Sequence, residues 1–113
     1  AGLQRDARRG YGLVRTRHAG SPQAASAVFA LGRVALRAGQ FGAAATWFDR
    51  YVREFPRGLL VEQALGRSLS CRARLPDDRA ACAAAKRYLG HDANGPRATL
   101  AREMTTRCRF NER

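Results

Sequence analysis

Displaced along itself by 37 residues, this chain falls back onto its own landmarks. Ala44, Tyr51 and the turn behind them return as Ala81, Tyr88 and a second turn. Ser21, Gly58 and Gly95 form one series of turn residues, and Ala27, Ala64 and Ala101 form another. Moved the other way, Ala44, Phe48 and Tyr51 land on Ala7, Tyr11 and Val14. A period of this length marks a repeat whose unit is too small to bury its own apolar face and must stack on its neighbour. A competing spacing exists. Leu31-Gly32 and Leu65-Gly66 are only 34 residues apart, so one helix with its following turn must be three residues longer than its counterpart.

The units are helical. Apolar residues recur at Ala24, Val28, Leu31 and Ala35, and again at Ala44, Phe48, Tyr51, Val52 and Phe55, which is the spacing of one helix face. Ser21-Pro22 supplies a cap and a first-turn proline, Gly39 a stop, and Pro56-Arg57-Gly58 a turn. A third helix is expected from about Leu60 to Arg74, with Val61, Ala64, Leu65 and Leu69 inward. A fourth opens at Asp77-Asp78 and carries Ala81, Ala85, Tyr88 and Leu89; a last one from about Arg97 buries Leu100, Ala101 and Met104. The 22 alanines and the scarcity of β-branched and aromatic residues favour helices over a sheet. Short connections make consecutive helices antiparallel neighbours. Gly32 and Gly66 each cost a helix interior about 1 kcal/mol relative to Ala, which is tolerable where another helix approaches closely.

Several functions find no support. No apolar run nears the roughly 20 residues that cross a bilayer. His18 and His91 fall in inter-helix turns with no nucleophile placed beside them, and neither a phosphate loop nor a paired-carboxylate motif is present. Asp77-Asp78 reads as a helix cap. The chain is therefore expected not to be an enzyme, and no cofactor is implied. Cys71, Cys82 and Cys108 lack zinc spacing, so no metal site is expected either. Cys71 and Cys82 lie symmetrically about the Pro76-Asp77 turn, whereas Cys71 and Cys108 differ by the 37-residue period. Either pair could be a disulfide in an oxidising compartment. Cys71–Cys82 is the favoured pairing, against the alternative of three free thiols.

The net charge of +12 comes from 20 arginines and one lysine set against nine acidic residues. Such a field favours acidic partners, nucleic acid among them. The arginines are scattered along the whole chain and form no dense block, as a GC-rich coding bias would also leave them.

The stretch ALGRVALRAGQFGAAATWFDRYVREFP, residues 30–56, resembles the tetratricopeptide repeat (TPR) through Leu31-Gly32, Ala44, Phe48 and Pro56. The later segments WFDRYVREFPRGLLVEQALGR and AKRYLGHDANGPRATLAR resemble TPR modules of bacterial cell-envelope proteins. In the second copy Ala85 stands for the aromatic and Asn94-Gly95 for the closing proline. The resemblance implies an all-α solenoid of antiparallel helix pairs with about five to six helices. Its repeat domain would cover 21–109, flanked by a partial repeat helix over 1–20 and a tail over 110–113. It further implies a groove lined by Ser26, Phe29, Arg33, Leu36 and Arg37, then by Leu60, Gln63, Arg67, Ser70 and Cys71. Arg33, Arg37 and Arg67 would grip carboxylates there. The implied work is protein–protein interaction: a scaffold or adaptor, periplasmic or envelope-associated, that takes a protein or acidic peptide within a multi-subunit complex. The alternatives are a cytoplasmic location, a basic helical module on nucleic acid, and a purely structural subunit.

Overall fold

A computed structural model describes residues 20–111; the partial helix expected over 1–20 lies almost wholly outside the described residues. Five helices follow one another: α1 (Pro22–Arg37), α2 (Phe41–Glu54), α3 (Val61–Ala73), α4 (Asp78–His91) and α5 (Ala98–Asn111). No strand occurs among the described residues, so the expected all-α class holds. The last helix runs two residues into the segment read as a tail.

The start and stop signals act as local chemistry dictates. Ser21 caps α1 by accepting from the Ala24 N–H at 3.1 Å, with Pro22 in the first turn. Gly39, at φ 73°, turns the chain out of α1 in a conformation that side chains resist. Asp77 caps α4 by accepting from Ala80 N–H at 3.1 Å, and Asp78 adds a second acid to the first turn.

Each helix packs chiefly on the next in sequence. Phe48 of α2 lies against Gly32 of α1, and the Phe29 ring meets Phe48 and Tyr51 edge-on at 5.2 and 5.7 Å. That pairing of 29 with 51 and 32 with 48 makes α1 and α2 antiparallel. Phe48, Tyr51, Leu69, Tyr88 and Val28 are fully buried, and alanines of α2, α4 and α5 fill the narrow seams between them. Burying each large apolar side chain contributes about 2–3 kcal/mol.

Both spacings found in the sequence are real. The stretch from Gln40 to Ala64 and that from Asp77 to Ala101 share their backbone hydrogen bonds, residue for residue at the longer period. Ala44 and Ala81 bond back to Gln40 and Asp77; Gly58 and Gly95 to Phe55 and Asp92; Ala64 and Ala101 to Leu60 and Arg97. The shorter spacing belongs to α1 and α3. Beyond its glycine, α3 runs two residues further than α1, and its exit turn is one residue longer.

Three helices meet at one carboxylate. Asp49 of α2 accepts from Ser68 Oγ and from Arg72 of α3, each at 2.6 Å, and from Arg87 of α4 at 3.3 Å. The period places Lys86 where a second such acid would stand, so among the described residues the junction is not repeated.

Candidate functional site

A groove of about 390 Å³ lies along the open face of α3, between the end of α1 and the turn before α5. Leu36 of α1 and Phe41, which opens α2, wall one side. Gln63, Arg67, Ser70 and Cys71 line it from α3, with Arg74 at the cap that ends that helix, and Tyr88, Pro96 and Arg97 close the far end. Residues 63, 67, 70 and 74 share one helix face because they sit three and four apart.

Two of its arginines are held by aromatic rings. The Arg67 guanidinium lies over Phe29 at 5.6 Å and that of Arg74 over Phe41 at 4.3 Å. Each such contact is worth about 0.5–1 kcal/mol and limits the rotamers open to a long side chain. Arg97 adds a third guanidinium, and Glu62 is the one acid on the wall. The groove is cationic at its rim and apolar along its floor. A preset guanidinium suits a planar carboxylate, which it can bind through two parallel hydrogen bonds.

Of the groove residues expected from sequence, Leu36, Gln63 and Arg67 line this cavity, with Ser70 and Cys71. Arg33 and Arg37 are exposed on α1 outside its lining. Phe29 requires a correction. It is 5 % exposed and belongs to the core, where it supports Arg67 from beneath. The cause is its packing on α2: the Phe29 ring meets Phe48 and Tyr51 edge-on, which widens the buried stripe of α1.

Arg74 and Arg97 were missed, though the sequence marks both. Arg74 stands one heptad beyond Arg67, and Arg97 is the repeat counterpart of Leu60. Phe41 left no signal, because its role depends on how α2 leaves its turn.

The expected Cys71–Cys82 bond is also corrected: Cys82 pairs with Cys108, Cα to Cα 6.2 Å, and Cys71 is a free, buried thiol. Both pairs lie symmetrically about a turn, the second about Gly95. Facing decides between them. Cys108 continues the Ala101–Met104 stripe that α5 turns toward α4, and Cys82 stands one position beyond Ala81, on the α5 side of α4. Cys71 looks into the groove instead. Burial pushes its thiol pKa up, against the opposing pull of Arg67, Arg72 and Arg74; Asp49 adds to the rise.

Among the described residues no group of three His, Cys, Asp or Glu side chains is placed to hold a metal, and no helix is long and apolar enough to cross a membrane. The fold and groove define a class: an all-α protein of successive helix pairs with a basic, apolar-floored groove. Compared with protein-family models, curated proteins and solved structures, the chain matches none.

Proposed function

We propose that this chain is a TPR-like interaction module that holds an acidic segment of a partner protein along the open face of α3. The observation that carries the reading is the set of Arg67, Arg74 and Arg97 around one apolar-floored groove, two of them seated on aromatic rings. The Cys82–Cys108 disulfide supports an oxidising location such as a bacterial periplasm, in keeping with the envelope proteins the sequence resembles. There the module would act as a scaffold or adaptor in a larger complex, with no chemistry of its own.

Fluorescence anisotropy with a labelled, Glu-rich peptide tests this. Binding should weaken with salt, fall at least about tenfold in the Arg67→Glu, Arg74→Glu double variant, and be absent for a neutral peptide of equal apolar content. Tighter binding to a DNA duplex, indifferent to those substitutions, would favour a nucleic-acid module instead.

A further inference from the structure

Seven residues separate Arg67 from Arg74, so α3 sets their Cα atoms about 10.5 Å apart along its axis and within about 20° of one line. Arg74 caps the helix in right-handed helical backbone and keeps that register. Each guanidinium is seated on a ring of the α1–α2 pair, Arg67 on Phe29 and Arg74 on Phe41, so both lean from α3 toward the same neighbours. Neither is in an ion pair among the described residues. Ser70 stands half-buried between them, and its hydroxyl has no partner among the described residues. Arg97 comes from the turn before α5, off this line, and adds charge without setting the spacing.

We propose that the groove selects a polyproline-II segment with two acidic residues three apart, one on each of these two arginines. This selection rests on the acidic-segment reading above and gives the partner a sequence: two acids separated by two residues, with proline among them. Three residues make one turn of such a helix and advance it about 9.3 Å, which returns the second acid to the same face at nearly the arginine spacing. In a β-strand, residues on one face lie about 6.6 or about 13 Å apart, and neither value matches. An α-helix with acids seven apart would match in charge. Its backbone bonds are closed internally, however, and it would leave the Ser70 hydroxyl unpaired. A polyproline-II chain has every carbonyl free, and one midway between its acids can accept from Ser70. Proline suits the rings of Phe41 and Tyr88 in the lining and arrives already ordered, which lowers the cost of binding.

Fluorescence anisotropy with labelled synthetic peptides of one composition, two Glu in a Pro-rich background, tests this when only the Glu spacing changes. The peptide with Glu three apart should bind at least about fivefold tighter than those with Glu two or four apart. Arg74→Gln, at an exposed position, should bring the three peptides level. If the wild-type chain binds all three alike, the spacing is overturned and the acidic groove still stands. Tightest binding by an Ala-rich helical peptide with Glu seven apart would overturn the polyproline-II occupant in favour of a helix. Failure of every acidic peptide to bind would overturn the groove reading and this selection with it.

Discussion

Tyr51 and Tyr88 hold equivalent turns by the same bond. The Tyr51 hydroxyl accepts from the Leu60 N–H at 3.1 Å, and the Tyr88 hydroxyl accepts from the Arg97 N–H at 2.8 Å. Each hydroxyl also lies over a glycine, Gly58 in one turn and Gly95 in the other. The repeat is therefore more than a pattern of apolar residues, since it preserves a specific tertiary hydrogen bond. Tyr51→Phe or Tyr88→Phe strands a partly buried N–H and should cost about 1–3 kcal/mol in urea unfolding. Gly58→Ala should cost a similar amount by pressing a methyl into the Tyr51 hydroxyl. Combined with Tyr51→Phe it should cost less than the sum, because removing the oxygen makes room. Strict additivity would mean that the hydroxyl and Gly58 do not constrain each other.

Gly32 and Gly66 look alike in sequence and should respond differently to Ala. A methyl at Gly32 would stand 2.6–2.9 Å from the fully buried ring of Phe48, which has nowhere to go. Gly32→Ala should lose about 1–3 kcal/mol despite the better helix propensity of Ala. At Gly66 the nearest atoms are Arg97 Cγ at 3.2 Å and Tyr88 Cε2 at 3.4 Å. The exposed Arg97 stem can shift, so Gly66→Ala should be neutral or gain up to about 1 kcal/mol. Thermal melts of the two variants should therefore move apart, and equal losses would contradict the difference.

The contrast shows what the sequence carries and what it leaves out. All five described helices were legible, because Ser21-Pro22, Gly39, Pro56 and Asp77 act through local backbone chemistry. The conflict of periods also resolved as expected, at the end of α3 and its turn. What escaped was facing. Midpoint symmetry fits Cys71–Cys82 and Cys82–Cys108 alike, and only helix rotation selects the second. Phe29 passed for a groove residue because a periodic stripe does not say how far the rings of α2 reach around α1. Arg74 and Arg97 join Arg67 through the meeting of α3 with the turn before α5, a contact between segments far apart in the chain.

Removing the Asp49 carboxylate should disturb three helices together. Ser68, whose hydroxyl Asp49 accepts, is 1 % exposed and would lose its partner, and Arg72 would lose its strongest one. Asp49→Ala should cost about 2 kcal/mol, chiefly through the stranded hydroxyl. In a Ser68→Ala background the same substitution should cost measurably less. An unchanged cost would assign the effect to the arginines alone.

The Cys82–Cys108 bond closes a loop of 26 residues, and a cross-link of that span is worth about 3 kcal/mol by constraining the unfolded chain. The Cys82→Ser, Cys108→Ser variant should lose about that much and stay helical, since α4 and α5 also share the Ala101 and Met104 seam. Without reductant, the denatured wild-type chain should show a single reactive thiol; three would refute the bond.

That thiol, Cys71, gives a pH dependence of definite sign. Burial raises its pKa in the folded chain, so the native state keeps the proton longer than the unfolded state does. Below the unfolded value, about 8.5, both states are protonated and the contribution is fully present. As pH rises from there toward the higher native value, only the unfolded chain gains by ionising, and stability falls through that window. Other groups titrate in the same range, so the comparison is with Cys71→Ala. Both chains should carry Cys82→Ser and Cys108→Ser, which leaves no disulfide for a thiolate to attack. The cost of Cys71→Ala in urea unfolding should shrink from pH 7 to about pH 10, because the chain that keeps the thiol loses an advantage the alanine chain never had. A cost that stays constant over that range would show that the thiol is not held neutral by the groove wall.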